Sequence, residues 1–142
     1  MLNSVKESLN GKVSMKDLGE AVYILGIKIY RDRSGRLLSL RQRTYTDKVL
    51  TQFNMSDAKK GFFPLSHGIR LSETQSPSTF DERSRMSRIL YASTIASIMY
   101  AMACTRPDVA FAIILASRYQ ANLGESHWAA VKNILKYLKS TK

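Results

Sequence analysis

The feature that most constrains the fold is a change in the spacing of apolar residues near Thr44. Residues 22–30, VYILGIKIY, are rich in β-branched and aromatic side chains, which is typical of a strand. Residues 36–42, RLLSLRQ, predict a second strand, and the polar RDRSG between them predicts a turn. In the second half, apolar side chains recur every three or four positions, as in helices. The predicted fold class is therefore α+β, with a β-hairpin at about 21–42 followed by a mainly helical half at about 81–142.

Two local patterns refine the N-terminal part. Gly26 interrupts the first predicted strand, which costs stability, so a bulge or a close backbone approach is expected there. Before the hairpin, Leu2, Val5 and Leu9 follow helical spacing and predict a helix.

The segment after the hairpin combines a helix with a long irregular stretch. Thr44 and Asp47 have the spacing of a capping box, which predicts a helix from Thr44 to about Phe53. Residues 56–80 contain two glycines and two prolines and predict a loop. Because that loop is long for a compact domain, we expect it to be either functional or mobile.

Three helical segments are predicted in the second half: Met86–Cys104, Val109–Tyr119 and Glu125–Lys142. Thr105 is the expected N-cap of the middle segment, and Pro107 fits its first turn. That segment is apolar almost all round, which predicts a buried helix. In the last segment the expected core stripe is Trp128, Val131, Leu135 and Leu138, and the expected opposite face carries Lys132, Lys136 and Lys139.

The charge balance favours a polyanionic partner. The chain has 22 Lys and Arg against 11 Asp and Glu, and from Arg83 onward nine basic residues face two acidic ones. Such an excess favours nucleic acid, although a basic surface without a specific ligand is the alternative. No apolar run reaches the roughly 18 residues of a membrane span, so no membrane partner is predicted. Cys104 is the single cysteine and fits a reducing compartment.

The chemistry of known catalytic sites is missing from the sequence. Two-metal nucleotidyl transfer needs carboxylates that converge on one point, and Asp81–Glu82 is the only adjacent acidic pair. These acids suit the first turn of a helix better than a metal site. His67 and His127 lie far apart, outside any metal-ligand or nucleophile motif. We therefore predict no catalytic residues, no metal site and no cofactor in this chain.

The basic and aromatic side chains permit two interpretations. Lys132, Lys136 and Lys139 either meet phosphates or form a solvated helix face. The tyrosines either stack on nucleic acid or pack in the core, and their apolar surroundings favour the core: Tyr23, Tyr30, Tyr45, Tyr100 and Tyr119.

An ordered set of motifs resembles the Ty1/copia reverse-transcriptase family. Each motif alone is weak, but together they cover nearly the whole chain in the family's order. They are MKDLGE with YILGI (15–20, 23–27), LRQRTY with LTQFNM (40–45, 50–55), YASTIASIMY with TRPDV (91–100, 105–109), and HWAA with ILKYL (127–130, 134–138).

The resemblance implies a division of the chain and a role for each part. Residues 1–55 would be the end of the palm with a primer-grip hairpin and its following helix, 56–80 a loop, and 81–142 thumb helices that lead towards an RNase H domain. The family's catalytic YVDD hairpin would lie just upstream. The implied primer-grip residues are Tyr23, Leu25, Gly26, Lys28 and Gln42. The implied template–primer contacts are Ser93, Ala96, Ser97, Tyr100, Arg106, Lys132 and Lys136.

The resemblance also implies partners and a location. The partners would be an RNA/DNA template–primer duplex, bound weakly and without sequence preference, and the remainder of the Pol polyprotein. The parent enzymes use Mg²⁺, which this fragment would not hold. The expected location is the cytoplasm, inside a virus-like particle, with the nucleus as the alternative.

Two departures from the family pattern, Ala96 in place of glycine and Leu123 in place of proline, fit a decayed copy. An inactive pseudogene product and a stand-alone basic nucleic-acid-binding module are therefore the competing interpretations. Open reading frames on both sides of the gene would separate them from a working polymerase fragment.

Overall fold

A computed structural model describes residues 2–142. In this part of the chain a small antiparallel sheet follows one helix and precedes five more, in agreement with the predicted α+β class. The elements are α1 (Leu2–Asn10), β1 (Tyr23–Ile24), β2 (Ile27–Asp32), β3 (Leu37–Arg41), α2 (Arg43–Gln52), α3 (Phe80–Met86), α4 (Tyr91–Cys104), α5 (Ala110–Ser117) and α6 (Glu125–Ser140).

The predicted first strand is in fact two strands. Leu25 and Gly26 have positive φ angles of 47° and 81°, and they form a two-residue turn between β1 and β2. Such turns match the twist of a hairpin and favour glycine, because a residue without a Cβ adopts positive φ freely. The prediction of a bulge or a close backbone approach at Gly26 is therefore wrong, because the nearest atoms to a Cβ there belong to the Tyr45 side chain. The predicted hairpin is a three-stranded meander in the order β1-β2-β3.

The predicted capping box at Thr44 is also wrong. Helix α2 begins at Arg43, and its N-cap is Gln42, which makes no side-chain capping bond. Thr44 therefore lies inside the first turn, where it cannot serve as the cap. The predicted end near Phe53 is confirmed, since α2 ends at Gln52.

The core lies between α2, α4, α5 and α6. Ile98 of α4, Ile113 of α5 and Ile134 of α6 are fully buried, and Leu50 of α2 is 2% exposed. Each helix contributes one apolar stripe, as amphipathic helices in a bundle do. The predicted core stripe of α6 is confirmed at Val131, Leu135 and Leu138, whereas Trp128 is half-buried.

Helix α5 is less buried than its composition predicts. Ala112, Ile113 and Ala116 are buried, but Phe111 is 75% exposed and Ile114 is 52% exposed. An eight-residue helix at the edge of the bundle can bury only the stripe that faces its neighbours. The prediction that this segment is buried all round is therefore wrong.

The start of that segment also differs from the prediction. Residues Pro107–Val109 form a 3₁₀ turn ahead of α5, and the N-cap is Arg106 without a side-chain bond. Thr105 is not the cap, because its hydroxyl donates a hydrogen bond of 2.6 Å to Oε1 of Gln42. Pro107 occupies the first turn, as predicted.

Residues 53–79 form the predicted long connection, which is irregular apart from a 3₁₀ turn at Glu73–Gln75. It is attached to the helices at several points: the N–H of Gly61 donates to the carbonyl of Lys136, and the hydroxyl of Tyr119 donates to the carbonyl of Leu71. These bonds hold the connection against the bundle.

Candidate nucleic-acid interface

One side of the sheet carries exposed tyrosines and cations. Partner residues in an antiparallel pair project to the same side, so Tyr23, Lys28 and Arg41 form a row across all three strands. Tyr30 and Ser39 form the next pair on that side. All except the half-buried Ser39 are exposed. We call these five residues the tyrosine–cation face.

One carboxylate, that of Asp32, stands at the loop end of this face. Asp32 pairs with Leu37 beyond Tyr30, and its carboxylate accepts hydrogen bonds of 3.0 Å from the N–H groups of Ser34 and Gly35. Those bonds, chiefly that from Gly35, hold the pKa of Asp32 below its ordinary value. A polyanion is therefore favoured near Lys28 and Arg41 and disfavoured next to the Asp32 carboxylate, although the loop itself also carries Arg33 and Arg36.

The other side of the sheet is mainly aliphatic. Ile24 pairs with Ile27, and Ile29 pairs with Leu40. Ile24 is 49% exposed and Leu40 is 45% exposed, and Leu38 on the same side is 55% exposed. The sheet thus presents two chemically different sides.

The turn between β1 and β2 is fastened to α4. The hydroxyl of Tyr100 donates a hydrogen bond to the carbonyl of Leu25. The ring of Tyr45 lies edge-on to that of Tyr100, with 4.9 Å between the centroids, and its hydroxyl donates to the carbonyl of Ser97 at 3.0 Å. Two tyrosines therefore connect the predicted primer-grip turn to the predicted template–primer helix.

The exposed edge of α4 contains the residues that were predicted there. Ser93, Ala96 and Tyr100 are exposed, and Ser97 is half-buried with its hydroxyl donating to the carbonyl of Ser93. Their exposure agrees with the prediction, and their contact with nucleic acid stays a prediction.

The opposite edge of α4 faces the core, as predicted for Ile95 and Ile98. Met102 was also predicted to be buried, but it is only half-buried. The small side chains of α4 are thus available on a helix whose other side is firmly packed.

Gln42 differs from the other predicted primer-grip residues in its burial. Tyr23, Leu25, Gly26 and Lys28 are close in the first hairpin, whereas Gln42 is 5% exposed at the start of α2. Its Nε2 atom is buried and has no hydrogen-bond partner in the described part of the chain.

Arg106 is largely committed to contacts within the protein. Its guanidinium donates two hydrogen bonds to Asp108, of 3.0 and 2.7 Å, and one of 2.6 Å to the hydroxyl of Thr141. It also lies 5.3 Å from the ring centroid of Tyr137, whose hydroxyl donates to Asp108. The Arg106 bond, supported by that of Tyr137, lowers the pKa of Asp108. Only 14% of the Arg106 side chain is exposed, which leaves little of it to meet a phosphate.

The three lysines predicted on one face of α6 lie in two different environments. Lys139 donates to the carbonyls of Ser56 and Ala58, so its charge is used within the protein. Lys132 lies 6.0 Å from the ring centroid of Trp128, a cation–π distance, and Lys136 is half-buried. Lys132 and Lys136 have no ion-pair partner among residues 2–142 and remain the candidates for phosphate contact.

His127 has a role that the sequence did not indicate. It is fully buried, its Nδ1 accepts the N–H of Gly124 at 3.0 Å, and its Nε2 lies 3.0 Å from the carbonyl of Ser72. Its ring stacks on Tyr119 at 4.1 Å. Because Nδ1 accepts, Nε2 carries the proton and donates. His127 thus caps α6 and anchors the 53–79 connection.

Residues 2–142 contain neither a metal-binding cluster nor a membrane-spanning helix. No cluster of three or more His, Cys, Asp and Glu side chains in this range is arranged to bind a metal ion. No helix in the same range has both the length and the apolar character needed to cross a bilayer.

The chain is homologous to retrotransposon Pol polyproteins. It is 45% identical over 141 residues to the retrovirus-related Pol polyprotein from transposon TNT 1-94 of Nicotiana tabacum. It is 31% and 32% identical to the corresponding polyproteins from transposons RE2 and RE1 of Arabidopsis thaliana. In each comparison 99% of this chain is aligned, and it spans only 11%, 9% and 9% of these relatives.

Other comparisons give no match: no family model and no solved structure corresponds to the chain. The names of the relatives identify the polyprotein rather than a domain within it. The homology therefore agrees with the resemblance at the level of the Pol polyprotein, and the reverse-transcriptase assignment stays a prediction.

Proposed function

We propose that this chain is the part of a Ty1/copia-type reverse transcriptase that holds the template–primer duplex beside the catalytic centre. The ordered motifs and the homology to Pol polyproteins support this assignment. The catalytic aspartates and their Mg²⁺ would come from the remainder of the polyprotein, so the chain alone would not polymerise.

The observation that carries the proposal is the bond between Tyr100 and Leu25. It ties the turn beside Tyr23 and Lys28 to the helix that exposes Ser93 and Ala96. A grip on a growing duplex needs such a fixed relation, because the primer end must keep its position while the duplex slides.

The character of the exposed groups suits binding that ignores base sequence. The tyrosine–cation face offers charge and stacking surface, and α4 offers small residues that permit close approach. Contacts of this kind reach phosphate, sugar and groove shape rather than the edges of individual bases. The expected ligand is therefore an RNA/DNA duplex of any sequence.

Titration of an RNA/DNA hybrid at several salt concentrations tests this proposal. Each phosphate neutralised is expected to contribute about −0.9 to the slope of log K against log salt on B-form DNA, and a similar steep dependence is expected here. Lys28→Gln should make that slope less steep by about one phosphate, whereas Lys12→Gln, an exposed lysine beyond α1, should leave it unchanged. A flat slope, or a strong preference for one sequence, would reject the proposal.

Primer extension tests the absence of catalysis. With Mg²⁺ or Mn²⁺ and a primed template, we expect incorporation no greater than that of a mock purification. Extension above that level would contradict the view that the catalytic carboxylates lie elsewhere in the polyprotein.

A further inference from the structure

The apolar side of the small sheet is left uncovered. Strand pairing places Ile24, Ile27, Ile29, Leu38 and Leu40 on the side opposite the tyrosine–cation face, and we call these five residues the aliphatic face. None of them is buried, and Leu38 is 55% exposed. Antiparallel sheets commonly pack one side against a core and leave the other to solvent, and three strands need such packing to be stable. We therefore expect the aliphatic face to be covered by a further element.

The lack of burial extends over the whole N-terminal part of the chain. No residue from Asn3 to Arg41 is buried, and Gln42 is the first that is. The apolar side chains of α1 are exposed as well, with Val5 at 53% and Leu9 at 43%. The core is formed by side chains of α2, α4, α5 and α6 and the segments that join them. Within the described residues, the helical core therefore forms without the aliphatic face.

The accessible surface of the chain is larger than that of a compact monomer. The chain exposes 10276 Å². A folded monomer of 16.1 kDa is expected to expose about 7,400 Å², which leaves an excess of about 2,900 Å². Permanent protein interfaces bury roughly 2,000–5,000 Å² summed over both partners. The excess is therefore large enough to supply one partner's share of such an interface.

Charge and covalent connection distinguish a second copy of the chain from a segment of the same polyprotein. Two copies would each bring a net charge of +11, and Arg31, which is exposed and pairs with Leu38, would meet its own copy across the aliphatic face. A segment of the same polyprotein is instead held nearby at an effective concentration on the order of millimolar. The relatives contain ample sequence of this kind, since the chain spans only 11%, 9% and 9% of them.

We propose that the aliphatic face binds a segment of the same Pol polyprotein that lies outside residues 1–142. That segment presents apolar side chains to Leu38 and Leu40 and a carboxylate to Arg31, which has no ion pair in the described chain. An apolar centre with charges at its rim is the usual composition of a protein interface. The proposal rests on the part of the proposed function that assigns the chain to a Pol polyprotein, and not on the grip on template–primer.

Thiol accessibility at two neighbouring positions of β3 tests this interface. Leu38→Cys places a thiol on the aliphatic face, and Leu37→Cys places one on the opposite side of the sheet. The two leucines are matched, since they are 55% and 53% exposed. Cys104→Ser in both variants removes the single native thiol. In the 142-residue chain alone, the two thiols should react with a maleimide at rates within about two-fold of each other.

The same variants are then measured in a longer chain. It carries, on either side, up to about 150 residues that flank the aligned region in the TNT 1-94 polyprotein, with the cysteines of those flanks replaced by serine. The thiol of Leu38→Cys should now react at least about ten-fold more slowly, whereas that of Leu37→Cys should keep its rate. Adding Arg31→Gln should restore part of the reactivity at position 38. Arg36→Gln, at an exposed arginine of the adjoining loop, should not.

Three results would overturn the interface. One is an unchanged rate at position 38 in the longer chain, and another is equal protection of both thiols, which would mean general shielding. The third is protection of Leu38→Cys in the 142-residue chain that increases with its concentration, because a second copy would then occupy the face. Binding of an RNA/DNA hybrid is a separate measurement, and Leu38→Gln should leave that affinity within about two-fold, since the residue lies opposite the tyrosine–cation face. A failure of hybrid binding would therefore reject the proposed grip without affecting this interface.

Discussion

The hydroxyl of Tyr100 donates a hydrogen bond to the carbonyl oxygen of Leu25, 75 positions earlier in the chain. The acceptor lies in the two-residue turn between β1 and β2, and the donor lies on the exposed edge of α4. The edge-on contact between Tyr45 and Tyr100 supports the same junction from α2. The position of the small sheet relative to the helices therefore depends partly on one phenolic hydroxyl.

Removing that hydroxyl should loosen the sheet. Tyr100→Phe keeps the ring against Tyr45 but removes the hydrogen bond to the Leu25 carbonyl, so we expect a lower free energy of unfolding than in the unaltered chain. The amide of Ile27 should also exchange faster with solvent. Urea titration and hydrogen exchange measure these effects. Tyr30→Phe is the control, because that exposed hydroxyl has no partner in the described chain, and equal behaviour of the two variants would contradict the junction.

The turn itself should resist any side chain at its second position. Gly26→Ala places a Cβ on a residue with φ of 81°, which costs roughly 1–2 kcal/mol for an ordinary residue. Space is not the obstacle, because the nearest atom to that Cβ would be 3.8 Å away on Tyr45. Gly11→Ala is the matched control, since position 11 has no positive φ and a Cβ there would make ordinary contacts of 3.7 Å with the carbonyl oxygens of Glu7 and Ser8. Thermal unfolding of both variants should show a loss for Gly26→Ala alone.

The same turn shows what the sequence could predict about the sheet. The residues on either side of it, Tyr23, Ile24 and 27–30, were correctly assigned to strands, since β-branched and aromatic side chains favour the β state. The division into β1 and β2 was missed because Leu25 is apolar and continues the run, although it adopts φ of 47°. The useful signal was Gly26 itself, which was interpreted as a bulge or a close backbone approach rather than as the second position of a turn.

His127 should be among the most sensitive positions of the helical half. His127→Phe retains a buried ring but leaves the N–H of Gly124 and the carbonyl of Ser72 unpaired, so we expect a loss of at least about 2 kcal/mol. His67→Phe changes an exposed histidine and should alter the stability by less than about 0.5 kcal/mol. Chemical denaturation compares the two, and equal losses would refute the anchoring role.

His127 also marks a limit of prediction from sequence. Its partner Ser72 is 55 positions away in a segment without regular structure, and no local pattern pairs them. Gly124 is similar, because a Cβ there would overlap the carbonyl of Gln75 in that same connection. By contrast, the stripe that includes Val131 and Leu135 follows from helical spacing alone, and it was predicted correctly.

The residues of the candidate site likewise include some whose environment was predicted from the sequence and some whose environment was not. The exposed edge of α4 was predicted from positions three and four residues apart, and Ser93 and Ala96 are exposed. The burial of Gln42 and the internal pairing of Arg106 were not predicted, because both depend on contacts between distant elements. Charge type alone cannot tell a free arginine from one that is already bound.

The pairing of Arg106 with Asp108 should make stability depend on pH in acid. The Arg106 hydrogen bonds, and after them that of Tyr137, lower the pKa of Asp108 in the folded chain. A carboxyl with a depressed folded-state pKa stabilises the fold above its unfolded value near 3.9, and this contribution declines as the pH falls through the folded value.

Asp108→Asn tests that dependence. It should cost about 1 kcal/mol at pH 7 after allowance for solvent screening, since the Asp108 side chain is 39% exposed. The difference from the unaltered chain should shrink as the pH falls below about 4. Asp57→Asn, at an exposed carboxyl without an ion pair in the described chain, should show neither effect. Urea denaturation from pH 7 to pH 3 measures both, and a difference that stays constant across this range would count against the pairing.

Substitution of Ala96 should change duplex affinity and the free energy of unfolding in opposite directions. It lies on the exposed edge of α4, and in the proposed function its methyl group stands where the helix approaches the minor groove of the duplex. Ala96→Gly should lower the free energy of unfolding by up to about 1 kcal/mol, because glycine is the poorer helix former. It should nevertheless tighten binding of an RNA/DNA hybrid, since the shorter residue permits closer approach. Ala129→Gly, an exposed alanine of α6, should lose comparable stability without any gain in affinity. Calorimetry of hybrid binding at one fixed salt concentration compares the two variants, and if Ala96→Gly binds no more tightly than the unaltered chain, α4 does not lie along the groove.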